Sequence, residues 1–448
     1  MTENRSLKLS LLVKEQIARD LCSIFINMFP FDISAKHKTE TSRNRIFTQE
    51  NTLLTMLLTM TNEDKSLQQS VNIYNVIHDK NKETIERENA RIIEESSKED
   101  RKGKRGRKKT TAGRIAKSKL QSVSTNTSAF SQARTRMNST YIREVFDNSH
   151  SSDKYEYKWH DRRVFIADGT YLQMQDTKAI REEFPISQEG CYPRSLMEVL
   201  IEQGSGLVHD FVLSGVKTSE LELLSTMINN IPRGSLLLAD DLYNCYAIFC
   251  ILAKRDVKFI VPGKRVRNYE LLKRLGPGDE LVYVKNTGQS QWAKGKEKFP
   301  KKLLLRRVEY SDSLDPNNKY VLYSSITDER ISCGELIYMY SNRWDIEIGI
   351  REIKTIMDIN IVRSKNPEMS RKEITAAMIA YNYIRRIIID AAAESGFFPQ
   401  RDIFQEYYKG DKPVLIDKLG RKYSRWSPGR YGDDKENDNK IFDNSTTR

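Results

Sequence analysis

Two short apolar runs, each followed directly by an aspartate, constrain this chain more than any other feature of its sequence. The run VFIA at 164–167 precedes Asp168, and the run LLLA at 236–239 precedes Asp240. Apolar runs of this length, bounded by turn residues, are typical of buried strands. We therefore predict that each aspartate lies at the end of a buried strand, with its carboxylate at the edge of a sheet.

The segments around these two runs predict an α/β fold. Two runs across a Gly-Ser-Gly turn predict a β-hairpin, and helical patterns alternate with strand patterns after it. The order is strand, hairpin, helix, strand, helix, strand, which matches an RNase H-like sheet. The segments are MEVLIEQ (197–203), LVHDFVLSG (207–215), SELELLSTMINNI (219–231), GSLLLAD (234–240), YNCYAIFCILAKR (243–255) and VKFIVPG (257–263).

The chemistry of divalent metals explains why two such aspartates matter. Phosphoryl transfer needs charge stabilisation at the attacking and the leaving oxygen, which two Mg²⁺ or Mn²⁺ ions supply. These hard cations prefer carboxylate oxygens. Asp241 competes with Asp240, but it stands where a helix N-cap would fall. We therefore predict Asp168 and Asp240 as ligands and Asp241 as a cap, while a single strand-end aspartate is more often only a turn residue.

A later segment, YSNRWDIEIGIREIK at 340–354, predicts a helix with a polar stripe. At 100° per residue, four polar groups fall within about 60° of one another. They are Tyr340, Arg343, Glu347 and Lys354. Asp345 and Glu352 lie on the far side, where we expect a solvated face. Spacing alone leaves open whether the stripe serves a site or is itself solvated, with an ordinary Arg343–Glu347 pair.

Charge and composition favour a polyanionic partner and a reducing compartment. The chain has 74 Lys and Arg against 61 Asp and Glu, a net charge of +13, which favours nucleic acid or an anionic surface. No run of about 18 apolar residues exists to cross a membrane, and the N-terminus lacks the pattern of a secretory signal. The five cysteines form no CxxC pair, so we expect neither a zinc site nor a disulfide framework, in a cytoplasmic protein.

Two segments before residue 120 point to nucleic acid less specifically. Residues 101–119 hold ten Lys or Arg and no acid, a composition typical of an unfolded arm or linker. Arg105 and Arg107 flank a glycine and suit a narrow minor groove, although a solvated linker with non-specific phosphate affinity fits equally. The apolar runs at 51–60 and 67–77 are consistent with a helix-turn-helix or an ordinary helical hairpin.

Several of these motifs together resemble the DDE transposases of the insertion-sequence-four family. The order Tyr340, two residues, Arg343, three residues, Glu347, six residues, Lys354 matches the family's YREK signature. ADGTYLQMQDT around Asp168, LLLADDLYNCY around Asp240, and KNPEMSRKEITAAMIAYNYIRR are also similar to the family. The similarity covers roughly residues 50–390. Two departures are a longer basic arm and an acid at Asp241, where a basic or small residue is common.

The resemblance implies a fold and a division of the chain. The implied fold is α/β, with an RNase H-like catalytic core, a β-rich insertion and a preceding helical DNA-binding region. We expect these segments: 1–95, helical N-terminal DNA-binding region; 96–120, basic linker or arm; 121–160, helical connector; 161–264, first part of the core; 265–330, β-strand-rich insertion; 331–400, second part of the core with the glutamate helix; 401–448, C-terminal segment and polar tail.

The resemblance also implies an activity: binding terminal inverted repeats, cutting at the element's ends, and joining the 3′ ends to target DNA. Asp168, Asp240 and Glu347 would hold two Mg²⁺ or Mn²⁺ ions. Further implied DNA contacts are Tyr340, Arg343, Lys354 and Trp292, the last stacking on a flipped base. The implied partners are double-stranded DNA and a second copy in a paired-end homodimer, in a bacterial cytoplasm near the nucleoid, with no membrane.

Two other functions remain open at this point. One is a metal-dependent nuclease of the same fold, which would be expected to lack the basic residues of the YREK signature. The other is a catalytically silent, transposase-derived DNA-binding protein, which would be expected to have lost an acid. Arg343, Lys354 and all three acids are present, which favours the transposase.

Overall fold

The structure is a computed structural model. It describes residues 24–37, 46–62, 65–76, 78, 126–151, 157–186, 190–215, 217–263, 267–286, 288, 291–293, 298–311 and 318–394. The basic arm at 101–119 and the segment 401–448 lie outside these residues. No helix in the described part is long and apolar enough to span a membrane.

A mixed sheet organises the described residues between 158 and 324. Its strands are β1 (Lys158–Trp159), β2 (Arg162–Gln173), β3 (Arg194–Glu202), β4 (Val208–Gly215), β5 (Leu236–Leu238), β6 (Lys258–Pro262), β7 (Tyr269–Gly276), β8 (Asp279–Lys285), β9 (Lys302–Ser311) and β10 (Lys319–Ser324). Their order across the sheet is β4-β3-β2-β5-β6-β10-β9-β8-β7, with β1 paired to β2.

The first five strands of this order have RNase H-like topology. β2, β3 and β4 form an antiparallel meander. β5 joins the other edge of β2 in parallel, and β6 joins β5 in parallel. A helix precedes β5 and another precedes β6, as parallel crossovers require. The predicted α/β class with an RNase H-like core is confirmed.

The strand-rich segment that follows extends the same sheet. β10 pairs antiparallel with β6, and β9, β8 and β7 follow in turn. Strands β7 to β10 lie within the segment 265–330, which was expected to be a β-strand-rich insertion. β7 was not predicted, because nearly all its residues are exposed and it has no alternation of apolar and polar positions.

The helices of the described part cover both faces of the sheet. They are α1 (Phe31–Lys36), α2 (Gln49–Thr61), α3 (Ser128–Arg136), α4 (Ser139–Ser149), α5 (Lys178–Glu183), α6 (Glu220–Met227), α7 (Tyr246–Arg255), α8 (Cys333–Ser341), α9 (Asp345–Arg351) and α10 (Pro367–Glu394). Residues 67–76 are also helical, so both apolar runs near the N-terminus form helices. Whether they act as a helix-turn-helix stays a prediction.

Alternate residues of β2 and β5 enter two separate cores. Val164 and Ile166 join the core that contains α9 and α10. Phe165 and Ala167 join the core that contains α6 and α7. Because side chains alternate along a strand, Asp168 continues the first set and faces the α9 side of the sheet. Gly169 then faces the α6 side.

Candidate active site

The first aspartate lies within a strand, contrary to the prediction that it ends one. β2 continues five residues beyond Asp168 to Gln173, and Asp168 is opposite Val199 of β3. The parallel pairing with β5, however, stops at Ile166. Asp168 therefore lies two residues beyond the point on β2 where pairing with β5 stops. Antiparallel pairing with β3 explains why the strand continues through the Asp-Gly pair.

The second aspartate follows its strand as predicted, but its local role differs from the prediction. Asp240 comes two residues after Leu238, the last residue of β5. Its Oδ1 accepts a hydrogen bond of 2.8 Å from the Leu242 amide and caps a 3₁₀ turn at Asp241–Tyr243. The prediction that Asp241 is the cap is wrong, because this turn separates both aspartates from α7.

The predicted single helix from Tyr340 to Lys354 is interrupted. α8 ends at Ser341, a 3₁₀ turn covers Asn342–Trp344, α9 follows, and a π-helical turn covers Glu352–Ile356. Constant rotation of 100° per residue therefore does not hold across it. Arg343 and Glu347 nevertheless lie on the same side across one turn, because Arg343 Nη2 donates a 3.1 Å hydrogen bond to Glu347 Oε1.

Burial distinguishes the members of this stripe. The Arg343 side chain is 12% exposed and the Glu347 side chain is 45% exposed. Tyr340 is half-buried against the first core. Burial raises the pKa of the Tyr340 hydroxyl, Arg343 lowers it, and Asp240 raises it further. Tyr340 therefore lies near both Arg343 and Asp240, on the side of the sheet that Asp168 faces.

Lys354 approaches the site from the π-helical turn. Its Nζ donates a 3.2 Å hydrogen bond to Thr170 Oγ1. Thr170 is two residues from Asp168 on β2, so both side chains point to the same face. Lys354 thus contacts the strand that carries Asp168, two residues beyond the aspartate.

Glu352 is not on a solvated face, and that prediction is wrong. Its side chain is 1% exposed, and its Oε2 accepts a 3.2 Å hydrogen bond from the Tyr381 hydroxyl of α10. Helical periodicity predicts a solvent-facing position here, because a local pattern carries no information about the packing of α10 against it. Asp345 is half-buried and accepts a 2.7 Å hydrogen bond from Gln203 Nε2.

The electrostatics of Asp168 link the three acids. Burial raises the pKa of Asp168 to about 6, and the Gly169 amide opposes this rise. Asp240 and Glu347 contribute to the rise, and Arg343 opposes it. Three carboxylates and one guanidinium from β2, the turn after β5, and the α8–α9 region therefore share one electrostatic neighbourhood.

The donor set of this neighbourhood fits a divalent metal ion. All three acids are carboxylates, which hard cations prefer, and their mutual repulsion favours binding of a cation. In the described residues, no three His, Cys, Asp or Glu side chains are close enough to form a complete metal site. Glu347 Oε1 accepts its 3.1 Å hydrogen bond from Arg343 Nη2, and the Glu347 side chain is partly exposed.

Trp292, a further predicted DNA contact, is not part of this group. Trp292 is half-buried in the insertion and packs against the second core. This packing supports a folding contact, and stacking on a flipped base stays a prediction. Arg105 and Arg107 lie outside the described residues.

Four residues near the two aspartates were not predicted from the sequence. Thr170 contacts Lys354 on one face of β2. Glu198, Glu220 and Tyr243 gather on the other face, where Tyr243 Oη donates a 2.7 Å hydrogen bond to Glu198 Oε1. One signal was available: Glu198 is an acid inside the apolar run LMEVLI, and acids in buried strands need a partner.

Comparisons with known proteins show which family the chain resembles. Residues 159–383 match the family described as "Transposase DDE domain". A transposase for insertion sequence element IS4 from Escherichia coli is 29% identical over 320 residues, 68% of this chain and 69% of that protein. A putative transposase for element IS186A from the same species is 27% identical over 82 residues, 18% of this chain and 22% of that protein.

A solved structure described as a piggyBac transposase synaptic complex with hairpin DNA is similar at a TM-score of 0.39 and 11% identity, over 92% of this chain and 82% of that one.

The family match covers half of the chain, so the chain belongs to the DDE transposase family. Within that family it is a transposase of the insertion-sequence-four group, as the YREK order had predicted. It is therefore an enzyme that acts on DNA, and the family as a whole depends on divalent metal ions.

Proposed function

We propose that this transposase binds the terminal inverted repeats of its insertion sequence, cuts the DNA at the element's ends, and joins the 3′ ends to target DNA. The observation that carries this proposal is the position of Asp168. Its carboxyl is largely buried on the α9 face, and its pKa responds to both Asp240 and Glu347. Convergence of three carboxylates from distant parts of the chain is what metal-dependent phosphoryl transfer requires.

In this proposal, Asp168, Asp240 and Glu347 hold two divalent ions, Mg²⁺ or Mn²⁺. The metal, when bound, stabilises charge on the attacking and leaving oxygens and activates the nucleophile. Asp240 Oδ1 accepts a hydrogen bond from the Leu242 amide, and this bond would orient the carboxylate for a metal ion. Asp168 is oriented similarly, because its Oδ1 accepts a 2.9 Å hydrogen bond from the Gly169 amide.

The basic residues next to these acids are proposed to hold the DNA backbone. Arg343 exchanges its contact with Glu347 for a phosphate oxygen, to which a guanidinium can donate two hydrogen bonds. Lys354 supplies a compact positive charge beside Thr170. Tyr340 packs next to Arg343 and limits water around the scissile phosphate. Together they place the phosphate against the acids.

Recognition of the element's ends is assigned to the other segments. The region 1–95 binds the terminal repeats, and the segment 96–120, with Arg105 and Arg107, adds phosphate and minor-groove contacts. Segments 161–264 and 331–400 form the catalytic core around the insertion 265–330. Two copies of the chain pair the two ends in a homodimer.

Oligonucleotides that carry the element's ends test this function directly. The purified protein with Mg²⁺ should nick at the element boundary and then join the freed 3′ end to a second duplex. Random-sequence duplex of the same length is the control. Nicking without joining would favour a nuclease of the same fold, and binding without nicking would favour a catalytically silent DNA-binding protein.

A further inference from the structure

A buried glutamate lies directly behind the candidate metal ligands. Glu198 is in β3 opposite Gly169 of β2, and its side chain is fully buried. Because paired residues point to the same face of a sheet, Glu198 lies on the α6 face, opposite to the face of Asp168. Among the described residues, its Oε2 has no hydrogen-bond partner. A buried acid in such a position is costly and needs a reason.

Tyr243 lies between this glutamate and a second one. Its hydroxyl donates to Glu198 Oε1 at 2.7 Å, and it is close enough to Glu220, at the start of α6, to influence the pKa of that carboxyl. Burial raises the pKa of Glu198 well above its usual value. Burial also raises the pKa of Glu220, with Asp168 and Asp240 adding to the rise. The three side chains therefore form one network that is in electrostatic contact with both aspartates.

The network is joined to the aspartates through the backbone at two points. Tyr243 ends the 3₁₀ turn that Asp240 caps, so anchoring the tyrosine fixes the turn that carries the aspartate. Glu220 lies against Gly169, the residue after Asp168, and a Cβ at position 169 would overlap the Glu220 carboxyl carbon. Gly169 thus lets α6 approach β2 at this point.

We propose that Glu198, Tyr243 and Glu220 form a positioning network that holds Asp168 and Asp240 in the geometry that a divalent metal ion requires. The inference rests on the proposed function of these aspartates as metal ligands. The network residues touch neither DNA nor metal; they act through the turn after β5 and through Gly169. Residues that support metal ligands typically change metal affinity by about 10–100-fold when mutated.

Binding of Mn²⁺ to the full-length protein without DNA, followed by electron paramagnetic resonance, tests the proposal. Tyr243→Phe removes only the hydroxyl and should weaken Mn²⁺ binding by about tenfold. The matched control is Tyr141→Phe in α4, which removes a buried hydroxyl that is hydrogen-bonded to Ser34 Oγ at 2.9 Å, within the helical region. The control should lower the unfolding temperature similarly and leave the Mn²⁺ affinity unchanged.

Substitutions at two further positions keep the test decisive if Tyr243→Phe does not fold. Glu220→Gln removes the charge at a half-buried position and should also weaken Mn²⁺ binding. Glu198→Gln keeps the shape and an acceptor oxygen for the tyrosine, so it should bind Mn²⁺ better than Glu198→Ala, which keeps neither.

Asp240→Asn separates this inference from the proposed function. If it abolishes Mn²⁺ binding while Tyr243→Phe and Glu220→Gln bind as the wild type does, the positioning network is refuted and the proposed function stands. If Asp240→Asn binds Mn²⁺ as tightly as the wild type, the proposed metal site is wrong and the network inference fails with it.

Discussion

Arg343 and Glu347 are joined across one helical turn by a 3.1 Å hydrogen bond, with the guanidinium mostly buried and the carboxylate half-exposed. The same guanidinium lies 4.9 Å from the centre of the Trp344 ring. The arrangement keeps a cation beside the acids while leaving Glu347 accessible from solvent. Its contribution to folding and its contribution to activity can therefore be separated.

The Arg343–Glu347 pair should contribute little to stability. Partly exposed helical pairs of this spacing are worth below about 1 kcal/mol. A double-mutant cycle of Arg343→Ala and Glu347→Gln, measured by chemical unfolding with a chelator present, should give a coupling free energy in that range. Strand cleavage should nevertheless be lost in Glu347→Gln. A coupling of several kcal/mol would mean that the pair is mainly structural.

Lys354 should matter for DNA and not for the fold. Its Nζ lies beside Thr170, so a phosphate held at the acids would be within its reach. Lys354→Ala should weaken assembly of paired ends or slow strand joining by roughly tenfold to hundredfold, as loss of a charge-assisted hydrogen bond of about 1–3 kcal/mol implies. Gel-shift and strand-joining assays on oligonucleotide ends measure this.

Arg330→Ala is the matched control for Lys354→Ala. Arg330 pairs with Asp328 and lines a cavity with Gly234 and Asp256, which precede β5 and β6 and so lie at the opposite end of the sheet. It should behave like the wild type in both assays. Equal behaviour of the two variants would mean that the YREK spacing is coincidental and would favour a nuclease. Glu352 cannot serve as the control, because it is buried.

The metal-free protein should lose stability as pH rises, in part through Asp168. Burial raises the pKa of this acid to about 6, whereas its unfolded value is near 3.8. The stability that the protonated acid contributes is full below about pH 4 and is lost as pH rises through 6. With chelator present, Asp168→Asn should therefore match the wild type near pH 4 and exceed it above pH 7, by up to about 3 kcal/mol.

Thermal or chemical unfolding at several pH values follows this difference. Asp176→Asn is the control, because Asp176 is exposed and paired with Arg181 and has a lowered pKa. Its difference from the wild type should change with pH in the opposite sense. A difference between Asp168→Asn and the wild type that stays constant from pH 4 to 8 would contradict the burial of Asp168 as a charged group.

The sequence predicts the parts of this site that depend on local pattern. Four apolar residues before Asp240 predict a buried strand and its end, and the YREK order pairs Arg343 with Glu347. Local pattern does not show which neighbour a strand has. Asp168 was expected at a strand end, but antiparallel pairing with β3 extends β2 beyond it.

Long-range packing accounts for the other differences. Helical periodicity places Glu352 in solvent, and only the position of α10 buries it and provides Tyr381 as its partner. Glu198 and Glu220 are 22 residues apart in sequence, and they meet only because β3 and the start of α6 flank Tyr243. No spacing rule connects these three residues, so their network was not foreseen.

The basic segment 101–119 should add affinity that depends on salt and little on sequence. Its ten positive charges release counterions when they contact phosphates. Deletion of 101–119 should therefore reduce the slope of log K against log salt concentration, with end-repeat and random duplexes affected alike. Fluorescence anisotropy at several salt concentrations measures the slope. An unchanged slope would show that the segment is a tether only.

Metal-dependent cleavage by single-acid variants tests the central claim most directly. Asp168→Ala, Asp240→Ala and Glu347→Ala should each abolish Mg²⁺-dependent nicking of an oligonucleotide end and leave binding of that end nearly intact. Asp241→Ala, next to the proposed ligand, is the matched control and should still nick. If Asp240→Ala still nicks and Asp241→Ala does not, the assignment of the second ligand is wrong. If all four variants nick like the wild type, these carboxylates are not the catalytic site.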